Sequence, residues 1–389
     1  MTVGDILQED ADNIAKLREM LADDLKGNEY YDTDYNILRW LQGWHDLKLE
    51  EIARKLRTHL KMRKSCWNLN EMAGKPRKHP IHSHWRYGIT GPSQVLENVI
   101  VNIEQCGETD YSGMMQSYSI QEVMKARCQD LEDLLAEVMK MEKATGKQAS
   151  VLYVMDLTGL KYDKRLYTLI VGAMRALSEF MAVHYVEMIK YFVLVNVPTV
   201  IHFIWNFTKP LLPTRTRQKV RILSAHGWRQ EILEYSCAES LPDKWNTGTV
   251  QEFTNYVDLP VPYPIDNYYQ NCKKEPESLD TMQLAAGKTL IKTFELKKGD
   301  RFHWWVHADS DFGFGFFYSK DREEQDVEKM DSVYPCFDWM PAPEVPLDES
   351  FLITEAGTYR VWLSNYRAWW HTLHIKYKFH VVPSTSEIQ

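Results

Sequence analysis

Cysteine is sparse: Cys66, Cys106, Cys128, Cys237, Cys272 and Cys336 stand far apart in 389 residues, with no Cys-x-x-Cys pair. That distribution argues against a zinc site or a disulfide framework and fits a chain kept reduced in the cytoplasm. A secretory signal core is missing too, because Asp5, Glu9, Asp10, Asp12, Lys16, Arg18 and Glu19 interrupt the N-terminal apolar residues. Asn206-Phe207-Thr208 therefore reads as an accidental match to the glycosylation pattern. Positive charge is not in excess: the formal net charge is −8, so no global attraction to nucleic acid or anionic membranes is expected. No Gly-x-Ser-x-Gly elbow is present, Gly287-Lys288-Thr289 lacks the first phosphate-loop glycine because Met282 stands there, and Gly313-x-Gly315 lacks the third glycine of a dinucleotide fingerprint. His79, His82 and His84, like His303 and His307, have no Cys or carboxylate at ligand spacing and read as solvated or hydrogen-bonded side chains. Ser178, His184 and Asp156 supply the residue types of a catalytic triad without its geometry. No catalytic residue, metal or cofactor is expected.

Long apolar runs are also scarce, and the exception is informative. Tyr191-Phe-Val-Leu-Val-Asn-Val-Pro-Thr-Val-Ile-His-Phe-Ile-Trp-Asn-Phe-Thr208 carries no Asp, Glu, Lys or Arg. A spanning helix needs roughly 20 mostly apolar residues, and Pro198 divides this run. Tyr191 to Val197, β-branched and aromatic, reads as a buried strand. After Pro198, Val200, Ile201, Phe203, Ile204, Trp205 and Phe207 spread around nearly the whole circumference of a helix-length piece. Such a helix must be covered on both sides, either by core or as a movable lid over a lipid.

What is abundant is large amphipathic surface: hydrophobic residues make up 44% and aromatics 12%, with 13 Trp and 21 Tyr, enough for a real core and for pockets. Residues 1–75 are rich in charge and helix formers, with a helix start at Asp32-Thr33-Asp34. Ser119-Ile-Gln-Glu122 reads as a capping box opening a long helix whose apolar face includes Val123, Leu131, Leu134, Leu135, Val138 and Met141. Ser150 to Asp156 is a strand buried on both faces, roughly Leu166 to His184 another helix, and Tyr191 to Val197 a second buried strand. Helix, strand, helix, strand defines an α/β layer over residues 76–258. A Pro-rich, polar linker follows at 259–277. Beyond it the period becomes two. Leu373, Ile375, Tyr377, Phe379 and Val381 face a core, and Phe312-Gly-Phe-Gly-Phe316, Leu290 to Leu296, Phe302 to Ala308 and Tyr359 to Leu363 complete an all-β sandwich over 278–383.

The strand end Met155-Asp-Leu-Thr-Gly159, together with Tyr185-Val-Glu187, Asn196-Val-Pro198, Lys209-Pro-Leu-Leu212 and Thr216-Arg-Gln-Lys219, resembles the successive motifs of the CRAL-TRIO lipid-binding domain. Asp34-Tyr-Asn-Ile-Leu-Arg-Trp-Leu41 is similar to its preceding helical region, and the sandwich, with Gly357-Thr-Tyr359, is similar to a GOLD domain. That order resembles the phosphatidylinositol-transfer-protein-like family. The resemblance implies an α/β pocket closed by a gate helix, here Pro198 to Leu212, so that Leu211 and Leu212 join the pocket residues named above. It also implies a lipid head-group site at Glu187, Thr216 and Lys219. Where the family continues Arg-Ala-Arg this chain has Gln42-Gly43-Trp44, which removes a second arginine from the phosphate and gives weight to a neutral ligand such as a tocopherol, sterol precursor or diglyceride-like lipid. The expected function is non-enzymatic binding and transfer or presentation of a hydrophobic lipid, by a cytoplasmic protein that touches membranes transiently. The alternative is an adaptor whose GOLD-like domain binds a protein partner under lipid control, with a lipid hydrolase a distant third. No nucleic acid is expected as partner.

Overall fold

The structure is a computed structural model and describes residues 6–86, 88–160, 173–198, 201, 205, 214–248, 252–272 and 275–384. Four helices come first: α1 (Gln8–Met20), α2 (Ala22–Leu25), α3 (Asp34–Gly43) and α4 (Leu49–Arg63). Thr33 starts α3 by accepting from the Asn36 N–H at 3.1 Å, as its sequence predicts. Ile14, Leu17, Ile37, Trp40, Ile52, Leu56 and Leu60 bury the inner faces of these helices.

After α5 (Ile81–His84) the chain builds a sheet from β1 (Ile89–Pro92), β2 (Val99–Glu104), β3 (Ser150–Asp156), β4 (Ile189–Val195) and β5 (Val220–Ile222), in that spatial order. The β1–β2 pair is antiparallel and all the others are parallel. Helices α6 (Tyr111–Ser117) and α7 (Ile120–Thr145) connect β2 to β3, α8 (Ala173–His184) leads into β4, α9 (Thr214–Lys219) leads into β5, and α10 (Trp228–Glu231) follows. The capping box is present: Ser119 Oγ accepts from the Glu122 N–H, and the Glu122 carboxylate accepts from the Ser119 N–H at 2.9 Å. Gly146, at φ +69, ends α7.

Alternation along the strands sends Val101, Ile103, Leu152, Val154, Val193 and Val195 to one face, where Leu223, Trp228, Ile232, Leu241, Trp245 and Phe253 seal them. The opposite face meets α7 through Val151 and Tyr153. The expected strand at Tyr191 to Val197 is displaced: β4 begins at Ile189 and stops at Val195. The cause is Asn196, which adopts the left-handed φ of +53 and turns its amide to Asp156, ending the ladder. The expected helix from about Leu166 to His184 is seen over Ala173–His184; its earlier part lies outside the described residues.

The C-terminal part is a sandwich of two four-stranded antiparallel sheets, and they include every strand expected there. One holds β10 (Asp331–Met340), β9 (Phe312–Ser319), β12 (Gly357–Ser364) and β7 (Thr289–Leu296); the other holds β11 (Leu347–Leu352), β8 (Arg301–Ala308), β13 (Leu373–Val382) and β6 (Asp280–Leu284). Rings from both sheets fill the space between, with Phe302 stacked on Phe316 at 4.9 Å. Gly313 is required where it stands, because a Cβ there would lie 2.6 Å from the Asp338 carbonyl oxygen. Edge strand β10 docks this sandwich on the rest of the chain: the Cys66 N–H donates to the Val333 carbonyl at 2.8 Å, and Trp67 and Phe180 both pack on Phe337.

Arg63 ties α4 to α7 from a fully buried position. Its guanidinium grips both Glu132 oxygens at 2.9 and 2.8 Å, while Nε donates to Asn70 and the Tyr185 hydroxyl donates to the same carboxylate. Breaking such a pair from one side strands a charge without solvent, so Arg63→Met is expected to cost about 3–5 kcal/mol. Urea unfolding of the full chain measures this, and Arg63→Met combined with Glu132→Leu is expected to recover part of the loss. Equal stability of wild type and the single variant contradicts the assignment.

Candidate functional site

The parallel sheet is sealed on one face and only half covered on part of the other. Register places Met155 beside Leu194 and Leu194 beside Ile222, with Phe192 beside Val220 in the row before. All five of these apolar side chains are half-buried, whereas Leu152, Val154, Val193 and Val195, which point the opposite way, are fully buried. Parallel strands normally bury both faces, so an apolar face left half open in β3, β4 and β5 is the candidate floor of a site. Helical residue Ile201 packs against the cluster of Cys106, Leu157 and Val197 that Met155, Leu194 and Ile222 also join. Trp205 is likewise helical. The other expected gate and pocket residues, Val200, Phe203, Ile204, Phe207, Leu211 and Leu212, lie outside the described residues.

Polar groups stand at the two ends of this floor. At the C-terminal ends of the strands, buried Asp156 accepts from Asn196 Nδ2 at 2.9 Å, Trp245 Nε1 at 2.7 Å and both the N–H and hydroxyl of Thr158. Burial pushes its carboxyl up, but donation by Thr158, Asn196 and Trp245, with the Lys244 charge nearby, outweighs that and holds the pKa below the ordinary 3.8. Asp156 thereby fixes Asn196, the residue from which the chain leaves β4 toward Pro198.

At the other end, one β4 length away or roughly 20 Å, Glu187 and Lys219 form an ion pair at 2.7 Å. Both are about a fifth exposed, so the pair is reachable from solvent. Glu187 holds φ +52, a conformation that costs a non-glycine residue about 1–3 kcal/mol and persists only where its surroundings enforce it. Two of the three expected head-group residues are therefore in contact. Thr216 falls on α9, in a segment whose side chain lies outside the described residues.

A buried polar wall borders the same face under α7. Glu104 accepts from Trp85 Nε1 at 3.0 Å and from the Tyr111 hydroxyl at 2.7 Å, contacts the Tyr153 hydroxyl, and pairs with Arg127 at 3.1 Å. Sequence reading missed this cluster because its members are spread from Trp85 to Tyr153 without any local pattern. Arg39, in the stretch similar to the family's N-terminal helices, is a structural cation: it pairs with Glu142 and donates to the Ala149 carbonyl at 2.7 Å. Gln42, in place of the second arginine, bonds Gln148.

Other sequence candidates take ordinary places. Of the histidines expected to be solvated or hydrogen-bonded, His82 and His84 are buried, and His84 Nδ1 meets the Val261 carbonyl while its ring stacks on Tyr263 at 3.5 Å between centroids. The triad types do not assemble: Ser178 is exposed, Asp156 serves the anchor just described, and His184 Nδ1 meets His59 Nδ1 at 3.2 Å between α8 and α4. A cleft of about 420 Å³ opens where α4, α8 and β10 meet, lined by Lys55, Met124, Phe180, Val183, Phe337 and Trp362 among others, none of them floor residues. Among the described residues no helix is long and apolar enough to cross a membrane.

Comparison with known proteins gives the α/β part its class. Residues 98–248 match the family model described as CRAL/TRIO domain. Residues 267–389 match a second, described as the F28H7_8_C-like C-terminal domain. The chain is 27% identical over 312 residues to the CRAL-TRIO domain-containing protein F28H7.8 of Caenorhabditis elegans, across 77% of this chain and 74% of that protein. Among solved structures, Sfh5 is 18% identical with a TM-score of 0.48, covering 66% of this chain and 94% of its own. The lysozyme inhibitor PliG of Aeromonas hydrophila is 11% identical with a TM-score of 0.19, covering 26% of this chain and 85% of its own. Residues 98–248, the α/β sheet with its flanking helices, are thus similar to a CRAL/TRIO domain. In this chain they follow a helical N-terminal region and precede a β-sandwich.

The His59–His184 contact makes stability depend on pH. Burial, then the Arg63 charge, pushes His184 down to about 3, and burial with Arg63 and His184 puts His59 well below 6.5. Both rings stay neutral in the folded chain, while the unfolded chain takes up protons below 6.5, so stability is complete above 6.5 and lost progressively toward about 3. Urea midpoints are expected to fall as pH drops through that window, and less steeply for His59→Phe combined with His184→Phe. Parallel slopes for the two proteins contradict the assignment.

Proposed function

We propose that this chain binds a hydrophobic lipid over the half-open face of β3, β4 and β5, with the segment from Pro198 to Leu212 as its gate, and transfers or presents that lipid at membranes without chemical turnover. The observation that carries this reading is the half-covered apolar row Met155, Phe192, Leu194, Val220 and Ile222, set against Leu152, Val154, Val193 and Val195, which are fully buried on the opposite face. Burying tails gains about 0.8 kcal/mol per CH₂, much as a bilayer does, so exchange needs no chemical energy source, only a gate that meets the membrane. Cytoplasmic location with transient membrane contact follows from the same reading.

The head-group end is Glu187, Thr216 and Lys219. A phosphate would have to draw Lys219 away from Glu187, with Gln42 supplying no second cation, whereas a neutral lipid leaves the pair intact. A neutral or weakly polar ligand is therefore preferred over phosphoinositide. A second reading, the adaptor, is favoured by one observation: Arg175 and Glu179 of α8 pair with Asp311 and Arg367 of the sandwich at 2.5 and 2.7 Å, which would let lipid occupancy reach a GOLD-like partner surface.

The test is to incubate purified protein with membranes, recover it and identify the bound lipid by mass spectrometry. A stoichiometric lipid is expected, and an empty protein would sink the transfer reading. Glu187→Ala with Lys219→Ala is expected to leave neutral-lipid uptake within about twofold while abolishing any phosphoinositide uptake. Equal loss of both contradicts the head-group assignment.

A further inference from the structure

The loop joining β12 to β13, Asn365-Tyr-Arg-Ala-Trp-Trp-His-Thr372, presents three aromatic rings to water. Trp369 is 91% exposed, Trp370 89% and Tyr366 71%, the first two more than any other large hydrophobic among the described residues. Scattered exposed apolar residues are ordinary, but adjacent bare indoles are not, since each offers an area that cores and interfaces normally hide. The loop has a firm base. Buried Asn365 donates through Nδ2 to the carbonyls of Leu284 at 2.9 Å and His371 at 2.8 Å, and its backbone exchanges hydrogen bonds with Gly287 and Lys288.

The charges around the loop narrow what it meets. It contains no carboxylate, and its two basic groups are engaged: Arg367 pairs with Glu179 at 2.7 Å, and His371 lies 3.4 Å from Asp309. The loop thus adds no unpaired cation of its own, and the whole chain is acidic. Attraction to anionic surfaces therefore contributes little, and what remains is the preference of indole for the boundary between hydrocarbon and headgroups, where the ring is apolar and the N–H stays hydrated. With both indoles about nine-tenths exposed, the rings stand out into solvent, an arrangement that a yielding surface accepts without a matching pocket.

We propose that this loop is a bilayer-docking element, Trp369, Trp370 and Tyr366 entering the interfacial layer of a zwitterionic membrane. Choosing a bilayer over a protein rests on the lipid-exchange reading. Docking here brings the membrane to the end of the sandwich that is tied to α8 by Arg367–Glu179 and Arg175–Asp311, and so beside the α/β part of the chain.

The test compares the full chain with Trp369→Ala/Trp370→Ala in co-sedimentation with phosphatidylcholine vesicles. The double variant is expected to keep the wild-type melting temperature and partition about tenfold more weakly, from the apolar area lost. Trp369→Phe/Trp370→Phe is expected to recover most of the binding, and raising salt to leave it unchanged. Equal partition of wild type and alanine variant overturns the proposal, as does binding that requires anionic vesicles and vanishes in salt. Lipid content after prolonged incubation separates the two readings. If both proteins recover the same lipid and only partition falls, both readings stand. If neither recovers lipid yet partition still falls with the alanines, docking stands and the pocket reading fails.

Discussion

A parallel sheet exposes two apolar faces, and both must be covered. That constraint organises the α/β part of the chain. One face is closed by its own following chain, with Trp228, Trp245 and Phe253 packed on β2, β3 and β4. The other is closed by α7 over β2 and the start of β3, and toward β4 and β5 the cover is incomplete. The unfilled part is a row of Met, Phe, Leu, Val and Ile, surface that would cost free energy if wetted and that hydrocarbon tails would satisfy. Function, on this account, comes from a core left unfinished.

An unfinished core survives only if its frame is rigid without it. The frame is polar. Asp156 gathers Thr158, Asn196 and Trp245, so the ends of β3 and β4 and the chain beyond β5 are fixed to one carboxylate. Arg63 and Glu132 hold the N-terminal helices on α7, and Tyr185 joins that pair just before β4 begins. The Glu104–Arg127 cluster fills the remaining space beneath α7. Each of these charges is buried and bonded to its partners, the condition under which internal charges specify a structure rather than disrupt it.

Much of the fold was legible wherever local pattern and long-range packing agree. The continuous apolar run of β3 and the alternation of β13 each fix a strand within one residue of its observed limits, and the capping box of α7 fixes where that helix starts. Strand β2 escaped because Asn102 and Glu104 interrupt it, both buried by partners distant in sequence. Strand β10 escaped because it contains Pro335, tolerated on a sheet edge, and follows an irregular register. The shift of β4 traces to Asn196, whose left-handed turn is dictated by Asp156, forty residues earlier. For the site, Glu187 and Lys219 were reached through resemblance to the CRAL-TRIO motifs, since nothing local marks two residues thirty-two apart as a pair. The floor was only partly readable: Phe192 and Leu194 lie in the conspicuous apolar run, but Val220 and Ile222 belong to a three-residue strand that only pairing defines.

The central claim is that the half-covered face of β3, β4 and β5 is the seat of a lipid's tails. Its most direct test is photocrosslinking with a neutral lipid carrying a photoreactive group within one acyl chain, loaded into the full protein and mapped by peptide sequencing. Adducts are predicted on Met155, Phe192, Leu194, Val220 or Ile222. Adducts confined to the sandwich or to the cleft between α4, α8 and β10, with none on these strands, would contradict it.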